Sequence, residues 1–378
     1  MKGASIAEHF SQLEDPRVER TRRHDLLSII AIALCAVICG ADNWVAVARY
    51  GRYKEEWLRS WLPLDGGIPS HDTFGRVFAM LDPKEFRRCL ASWMEAVQEA
   101  TGNQVCIDGK TIRGSRDSAL GKKAIHMVRA WAAENRLVLG QVKVDEKSNE
   151  VKAIPELLEL LDLKGCLVTI DAEGCQTKIA EEIVAKEADY VLAVKGNQEQ
   201  LQGDLEDFFQ VAESEGYRDV PHSYAHTREK DHGRIETREC WATDDPSCLA
   251  CLDRRERWPG LRSIAMVRRR RRKTGEDATK ESVETVFYIS TLEADANKIL
   301  EATRRHWSIE NSLHWILDVA FDEDNCRVRT RNAAENLSTL RCFALGLIKQ
   351  DTTVKAGVKI KRQSAGWSND YLLHLICQ

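Results

Sequence analysis

Three acidic residues lie next to apolar sequence, where a carboxylate requires a cation or a hydrogen-bond donor. Asp108 follows the apolar run VCI in IDGK, and Asp171 follows LVTI in TIDAEG. Glu310 lies in HWSIENSLHW, beside an apolar face with helical spacing. A carboxylate next to buried surface is unfavourable unless it meets a cation or hydrogen bonds. Each residue alone is compatible with a turn cap or a surface position, but two strand-end aspartates and one helical glutamate together predict a shared metal site.

This set of ligands defines a chemistry. Three carboxylates suit Mg²⁺, with Mn²⁺ as the alternative ion, because hard cations prefer oxygen ligands. Two such ions roughly 3.5–4 Å apart activate a water or a 3′-hydroxyl and stabilise the leaving oxygen of a phosphodiester. Asp108, Asp171 and Glu310 are therefore the predicted catalytic and metal-binding residues of a phosphodiester-cleaving enzyme.

Two other phosphate chemistries fit the same region less well. Gly109, Lys110 and Thr111 match the end of a phosphate-binding loop, but that loop needs a glycine five residues before Gly109, where Gln104 stands. A phosphatase with an aspartate nucleophile typically carries a second aspartate two residues later, where this chain has Lys110. The sequence disfavours both.

Zinc is also disfavoured. His306, Glu310 and His314 share one helix face but lack a clear fourth ligand. Cys248 and Cys251 form a CxxC pair without a second pair at a fitting distance.

Hydrophobic periodicity predicts the elements that position the carboxylates. Apolar strand-like runs occur at 105–107, 137–144, 167–170 and 190–194. Helix-like segments occur at 151–161, 176–188, 295–321 and 333–349. Strands that alternate with helices in this way indicate an α/β fold with a mixed sheet.

The flanking regions differ in character. Residues 1–100 are predicted to form a small helical domain, in which 26–40 is too short for the ~20 residues that span a bilayer and is read as a buried helix. Residues 199–290 are a strand-rich insertion within a catalytic domain at 101–350, and 351–378 form a C-terminal extension. Within the insertion, 268–273 are predicted to lie at the tip of a hairpin that continues into Thr274 and Gly275.

The charge distribution predicts that any contact with DNA is made by local basic patches. The net charge is −4, whereas proteins that only coat nucleic acid are strongly basic. Basic clusters occur at 20–23 (RTRR), 268–273 (RRRRRK) and 327–331 (RVRTR). Twelve cysteines without a framework and a polar N-terminus predict a reducing, cytoplasmic location with no membrane contact.

The segments IDGKTIRGS, TIDAEGCQ, DYVLAVKGNQ, HGRIETR and HWSIENSLHWILDVAFDED resemble the H-repeat-associated insertion-sequence transposases, of the Asp-Asp-Glu class with an RNase H-like core. The resemblance runs from about residue 24 to residue 349. It implies that Asp108, Asp171 and Glu310 bind the metal. It also implies a DNA transposase without a small-molecule substrate, acting on double-stranded terminal repeats and target DNA as a homodimer in a synaptic complex.

The glutamate helix departs from the wider class pattern. Residues 307–310 (WSIE) fit its centre, but Thr303, His306 and Leu317 occupy the class positions of Tyr, Arg and Lys. Arg304, Arg305, His306 and His314 are the local candidates to replace those residues. Whether cleavage proceeds through a DNA hairpin stays open.

Several further residues are predicted to contact DNA. They are Lys195, Asn197, Arg234, Arg238, Arg268, Arg269, Arg270, Arg304, Arg305, His306 and Trp307. Two alternatives are a domesticated DNA-binding protein that has lost transposition and a stand-alone RNase H-like nuclease. The three intact carboxylates disfavour the first, and the helical N-terminal domain disfavours the second.

Overall fold

A computed structural model describes residues 6–97, 103–118, 121–144, 149–231, 233–273 and 281–377. A nine-stranded sheet forms its centre, in the order β3-β2-β1-β4-β5-β9-β8-β7-β6. The strands are β1 Gln104–Ile112, β2 Ile125–Ala132, β3 Leu137–Val144, β4 Leu167–Ile170, β5 Asp189–Val194, β6 Ser223–Asp231, β7 Arg234–Thr243, β8 Ser263–Lys273 and β9 Glu281–Ser290. The sheet is flanked by helices, which confirms the mixed α/β class.

Strands β1 to β5 form the RNase H-like half of the sheet. β4 lies parallel to both β1 and β5, whereas β2 pairs antiparallel with β1 and β3. Two details of the sequence prediction are wrong here. β1 continues through Asp108 to Ile112, so Asp108 lies inside a strand and not at its end. β2 was not predicted, because the fully buried Arg129 interrupts its apolar run.

The strand-rich insertion extends the same sheet. β9 pairs antiparallel with β5, and β8, β7 and β6 continue outwards. The β8–β9 hairpin exists, but the prediction that 268–273 form its tip is wrong. These residues lie inside β8, because acidic side chains on the neighbouring elements pair with its arginines. Thr274 and Gly275 lie outside the described residues.

Helices cover the sheet and form the N-terminal region. Before the sheet come α1 Ile6–Phe10, α2 Leu26–Ile38, α3 Trp44–Tyr53, α4 Glu55–Arg59, α5 His71–Met80 and α6 Pro83–Val97. Within the sheet region lie α7 Glu150–Glu159, α8 Thr177–Ala185, α9 Glu199–Ser214, α10 Pro246–Leu249, α11 Ala296–His306 and α12 Trp315–Phe321. α13 Ala333–Gln350, α14 Val358–Trp367 and α15 Asn369–Ile376 follow.

Helix α2 is the centre of the helical region. Asp25 caps it by accepting a hydrogen bond from the Ser28 backbone, and every residue from Ser28 to Ile38 is buried. It packs against α3, α13 and α14, within one hydrophobic core that also includes Leu372 and Leu375 of α15. Residues 6–97 are thus mainly helical, as predicted, and they share a core with the helices that begin at residue 333. No described helix has both the length and the apolar character needed to cross a membrane.

Candidate metal centre

One cleft beside the middle of the sheet contains the three predicted carboxylates. Asp108 and Asp171 line it from β1 and from the end of β4, and Glu310 lines it from the helical segment after α11. Ile107 pairs with Ile170 in the parallel β1–β4 register, so the two aspartates follow matched positions on adjacent strands. We call this cavity of about 270 Å³ the acidic cleft.

Asp171 is held by the turn that it caps. Its side chain accepts hydrogen bonds from the backbone N–H groups of Glu173 and Gly174, at 3.1 and 3.4 Å. The Asn197 side chain donates to the Ala172 carbonyl at 2.6 Å and ties the turn to the end of β5. Asn197, predicted to meet DNA, thus also supports the loop that carries Asp171.

Glu310 begins a π-helical segment, Glu310–His314, between α11 and α12. The wider turn brings Glu310 next to His314. The His314 Nδ1 lies 3.1 Å from Glu310 Oε2 and 3.6 Å from Asp108 Oδ2. One ligand atom from each of these three residues lies within 4.8 Å of the others. Asp171 lines the same cleft but is not a member of that compact group.

Hydrogen bonds from β1, β2 and β4 fix the glutamate-bearing helix on the sheet. Gln104 donates to the Ala302 carbonyl at 2.8 Å, and the Trp131 indole N–H donates to Ser308 at 3.2 Å. His306 Nδ1 lies 3.1 Å from the Thr169 hydroxyl. Burial lowers the pKa of His306 to about 4, so its ring is neutral at pH 7.

The far end of this helix is anchored by two ion pairs. Lys110 pairs with Asp318 of α12 and donates to the His314 carbonyl at 3.3 Å. Arg129, opposite Asp108 in the β1–β2 register, donates to both oxygens of Glu323 at 2.9 Å. Both partners of this second pair are fully buried. The sheet and the helix therefore meet in a fixed geometry around Asp108.

Burial and neighbouring charges shift the pKa values of the carboxylates in the acidic cleft. Burial raises the pKa of Asp108 to about 7, with a further contribution from the charge of Asp171. Burial also raises the pKa of Asp171, followed by the charge of Glu150. The contact with the His314 ring lowers the pKa of Glu310. Among the described residues, no lysine or arginine forms an ion pair with any of these carboxylates.

Glu150 is a carboxylate that the sequence reasoning missed. It begins α7, and its Oε1 lies 2.6 Å from Nε2 of His126 on β2. Gly109 leaves room for this pair, because a Cβ there would clash with both side chains. The only signal in the sequence was a glycine directly after Asp108, which does not identify the residues that fill the space.

Part of the predicted DNA-contacting set surrounds the cleft. The members that line it are Lys195, Arg238, Arg269, Arg304, His306 and Trp307. The Arg269 guanidinium lies 5.1 Å from the centre of the half-exposed Trp307 ring. These arginines are not isolated charges, since each also pairs with a glutamate. The pairs are Arg238 with Glu229 and Glu236, Arg269 with Glu284, and Arg304 with Glu229.

The other predicted DNA contacts lie away from the cleft lining. Arg268 and Arg270 alternate with Arg269 along β8 and therefore point to the opposite face. Their partners are Glu213 and Glu239. Arg234, at the start of β7, lies 3.9 Å from Glu236, and Arg305 pairs with Glu134 and Glu301. We call the paired arginines of β7 and β8 (234, 238 and 268–271) the arginine ladder.

The cleft fits a divalent cation. Its acidic side chains supply oxygen ligands, and their mutual repulsion is relieved by positive charge. The 1% exposed His314 keeps Nδ1 towards two carboxylates, while its Nε2 has no hydrogen-bond partner among the described residues.

The chain is similar to known proteins over most of its length. The family model described as "Transposase DDE domain" matches residues 99–347, and the model described as "DDE_Tnp_1-associated" matches residues 7–94. YncI of Escherichia coli O157:H7, named as a transposase, is 43% identical over 97% of this chain and 93% of its own. YhhI of Escherichia coli K12, named as H repeat-associated, is 37% identical over 100% and 98%.

A solved piggyBac transposase synaptic complex with hairpin DNA aligns with 98% of this chain and 76% of its own. The TM-score is 0.40 and the identity is 10%, so the likeness is a distant one.

Proposed function

The chain belongs to the transposase DDE domain family and is a DNA transposase, and from that premise we propose that Asp108, Asp171 and Glu310 bind the ions with which it cuts and rejoins phosphodiester bonds. The family implies a divalent metal, and we propose Mg²⁺, with Mn²⁺ as the alternative. One observation carries the assignment: the three carboxylates line a single cleft without a lysine or arginine ion-pair partner among the described residues.

Each carboxylate is held ready for this role. When bound, divalent ions supply activation of a water or 3′-hydroxyl and stabilise the leaving oxygen. Asp108 stands between Asp171 on the next strand and Glu310 on the helix, so it is the residue suited to contact both ions. The backbone N–H groups that bind Asp171, and the His314 ring beside Glu310, limit the movement of their carboxylates. Such preorganisation reduces the reorganisation needed during reaction.

The DNA backbone is proposed to enter past the basic side of the cleft. Lys195 is exposed there, and Arg238, Arg269, Arg304 and the half-exposed Trp307 lie beside it. The substrate would be double-stranded DNA with terminal inverted repeats, joined to target DNA by a homodimer in a synaptic complex.

We propose that residues 101–350 form the catalytic domain and that residues 351–378 form a C-terminal extension.

A second basic surface is proposed to hold DNA beside the N-terminal helices. A wide groove runs between α3, α5 and the segment before α13. Arg76, Arg327 and Arg331 line it, are exposed, and form no ion pair among the described residues. Phosphate contacts of this kind position a protein on DNA without specifying sequence.

The test is cleavage of DNA that carries the element's own ends, in Mg²⁺. Asp108→Asn, Asp171→Asn and Glu310→Gln should each reduce cleavage on the order of 10³-fold, because each loses a group that acts at the reacting centre. Binding to the same DNA should persist. Glu181→Gln on the exposed face of α8 is the matched control and should cleave normally. Full cleavage by any of the three cleft variants would refute the assignment.

A further inference from the structure

We propose that His314 is a direct metal ligand, so that one ion of the site is bound by Asp108, Glu310 and an imidazole nitrogen while Asp108 and Asp171 provide an all-oxygen position. This inference rests on the proposed metal-dependent function and adds to it a fourth ligand of different chemistry.

The geometry of the helix supports this role. His314 ends the π-helical segment, in which the Trp315 N–H donates to the Glu310 carbonyl five residues earlier. The segment places the Glu310 and His314 side chains side by side, with Nδ1 at 3.1 Å from Glu310 Oε2. The same nitrogen lies 3.6 Å from Asp108 Oδ2 on the sheet. π-Helical turns are rare and occur frequently at functional sites.

The hydrogen-bonding capacity of the ring supports a cation at this point. A neutral imidazole has one N–H and one acceptor nitrogen. If Nδ1 carries the proton, it serves only one of two carboxylates, and the buried Nε2 becomes an acceptor with no partner among the described residues. If Nε2 carries the proton, that N–H has no partner among the described residues, and three acceptor atoms face one another within 4.8 Å. A divalent cation satisfies all three acceptors at once.

The His314 side chain is buried, and its backbone is held by a hydrogen bond. It is 1% exposed, and Lys110 donates to the His314 backbone carbonyl. Lys110 itself is held by Asp318 one turn later. A side chain fixed in this way loses little further freedom on ligating an ion, which favours a metal ligand over an adjustable surface histidine.

The nitrogen ligand has a consequence for metal choice. Carboxylate sites suit Mg²⁺ and Mn²⁺, whereas imidazole shifts preference towards later transition metals. A position with one imidazole and two carboxylates should therefore bind Mn²⁺ more tightly than Mg²⁺. The position that uses Asp171 should discriminate less.

The experiment is pulsed electron paramagnetic resonance of Mn²⁺ bound to the full-length chain, alone and with DNA that carries an element end. We expect a directly coordinated nitrogen, detected as a ¹⁴N coupling that becomes a ¹⁵N coupling when the histidines are ¹⁵N-labelled. His314→Gln should abolish this coupling and weaken Mn²⁺ binding on the order of tenfold or more. His306→Gln, which changes a histidine that lines the acidic cleft outside the proposed ligand set, should keep the coupling.

The outcomes separate the two proposals. Tight Mn²⁺ binding without histidine nitrogen coupling overturns the role of His314 and leaves the three carboxylates intact as ligands. Failure to bind Mn²⁺ with or without DNA contradicts the metal-dependent function itself. The isotope measurement uses the unsubstituted protein, so a folding defect in a variant does not affect its result.

Discussion

The acidic cleft and the arginine ladder collect charge in opposite ways. In the ladder, Glu236 of β7 is 6% exposed and lies 2.9 Å from Arg238 and 3.2 Å from Arg271. In the cleft, Asp108 and Asp171 have no lysine or arginine ion-pair partner among the described residues, and the pKa of each is raised. Each arginine of the ladder already lies beside a glutamate. The carboxylates of the cleft, in contrast, require an added cation to balance their charge.

This difference shows why a run of like charges is a poor guide to the field it creates. Successive strand residues point to opposite faces, and antiparallel neighbours bring in side chains from distant parts of the sequence. Arg268 to Arg271, within the basic run 268–273, thereby meet glutamates that no local pattern connects with them. The carboxylates of the cleft are far apart in the sequence, yet they converge without compensation.

The largest expected effect comes from removing the central acid of the ladder. Glu236→Gln removes the glutamate beside Arg271 and one of the two glutamates that pair with Arg238, and breaking a buried ion pair costs roughly 3–5 kcal/mol. The free energy of unfolding, measured in urea, should fall accordingly. Glu284→Gln is the control: its side chain is 46% exposed, and an exposed pair is worth about 1 kcal/mol or less. Equal losses in the two variants would mean that the ladder is not organised around Glu236.

In the acidic cleft, replacing a carboxylate with an amide should raise the stability of the folded protein instead of lowering it. The folded-state pKa of Asp108 is about 7 against a usual 3.8, so its stabilising contribution is complete below 3.8 and is lost as the pH rises through 7. Asp108→Asn cannot ionise and should raise the Tm of the metal-free protein by about 2–4 °C at pH 8.

The pH profile supplies the control for that prediction. At pH 4 the Tm difference between the variant and the unsubstituted protein should be small, and it should grow between pH 4 and pH 8. Saturating Mg²⁺ should reduce this Tm difference, because the ion binds and stabilises the unsubstituted protein but not the variant that has lost a ligand. A variant less stable than the parent at pH 8 would show that the cleft carboxylates are already compensated.

The smallest effects concern DNA affinity. Arg327→Ser with Arg331→Ser removes two exposed charges that form no ion pair with any described residue, and it should flatten the slope of log affinity against log salt by about 1–2 units. Arg268→Ser with Arg270→Ser removes arginines already paired with Glu213 and Glu239 and should leave the slope nearly unchanged. A salt titration with cognate and scrambled DNA measures both. A larger change for the Arg268 and Arg270 variant would place a DNA contact on the face of β8 opposite Arg269.

The sequence predicted those elements whose signal is local. β3 and β4 have their predicted limits, and the apolar run at 26–40 forms the buried helix α2, which Asp25 caps directly before it. These features depend on alternating or continuous apolar residues and on one capping side chain, all within a few positions. The predicted mixed sheet and the clustering of three carboxylates in one cleft follow from the same local signals and the resemblance.

Features that depend on distant partners were not predictable. β2 carries Arg129, which is acceptable in the core only because Glu323, almost two hundred positions later, neutralises it. The placement of Glu150 over Gly109 likewise requires the folded sheet. His314 was visible as a helix neighbour of Glu310, but its approach to Asp108 depends on the π-helical turn.

The burial of α2 has a consequence for synthesis of the chain on the ribosome. α3 covers part of this apolar helix soon after it emerges, but α13 and α14 complete its surroundings. Roughly 300 residues separate α2 from α13, which at about 5–20 residues per second corresponds to roughly 15–60 s of translation. During that interval the surface of α2 that α13 later covers is exposed to other nascent chains and to chaperones. The N-terminal helices therefore reach their final packing only after the catalytic sheet has been translated.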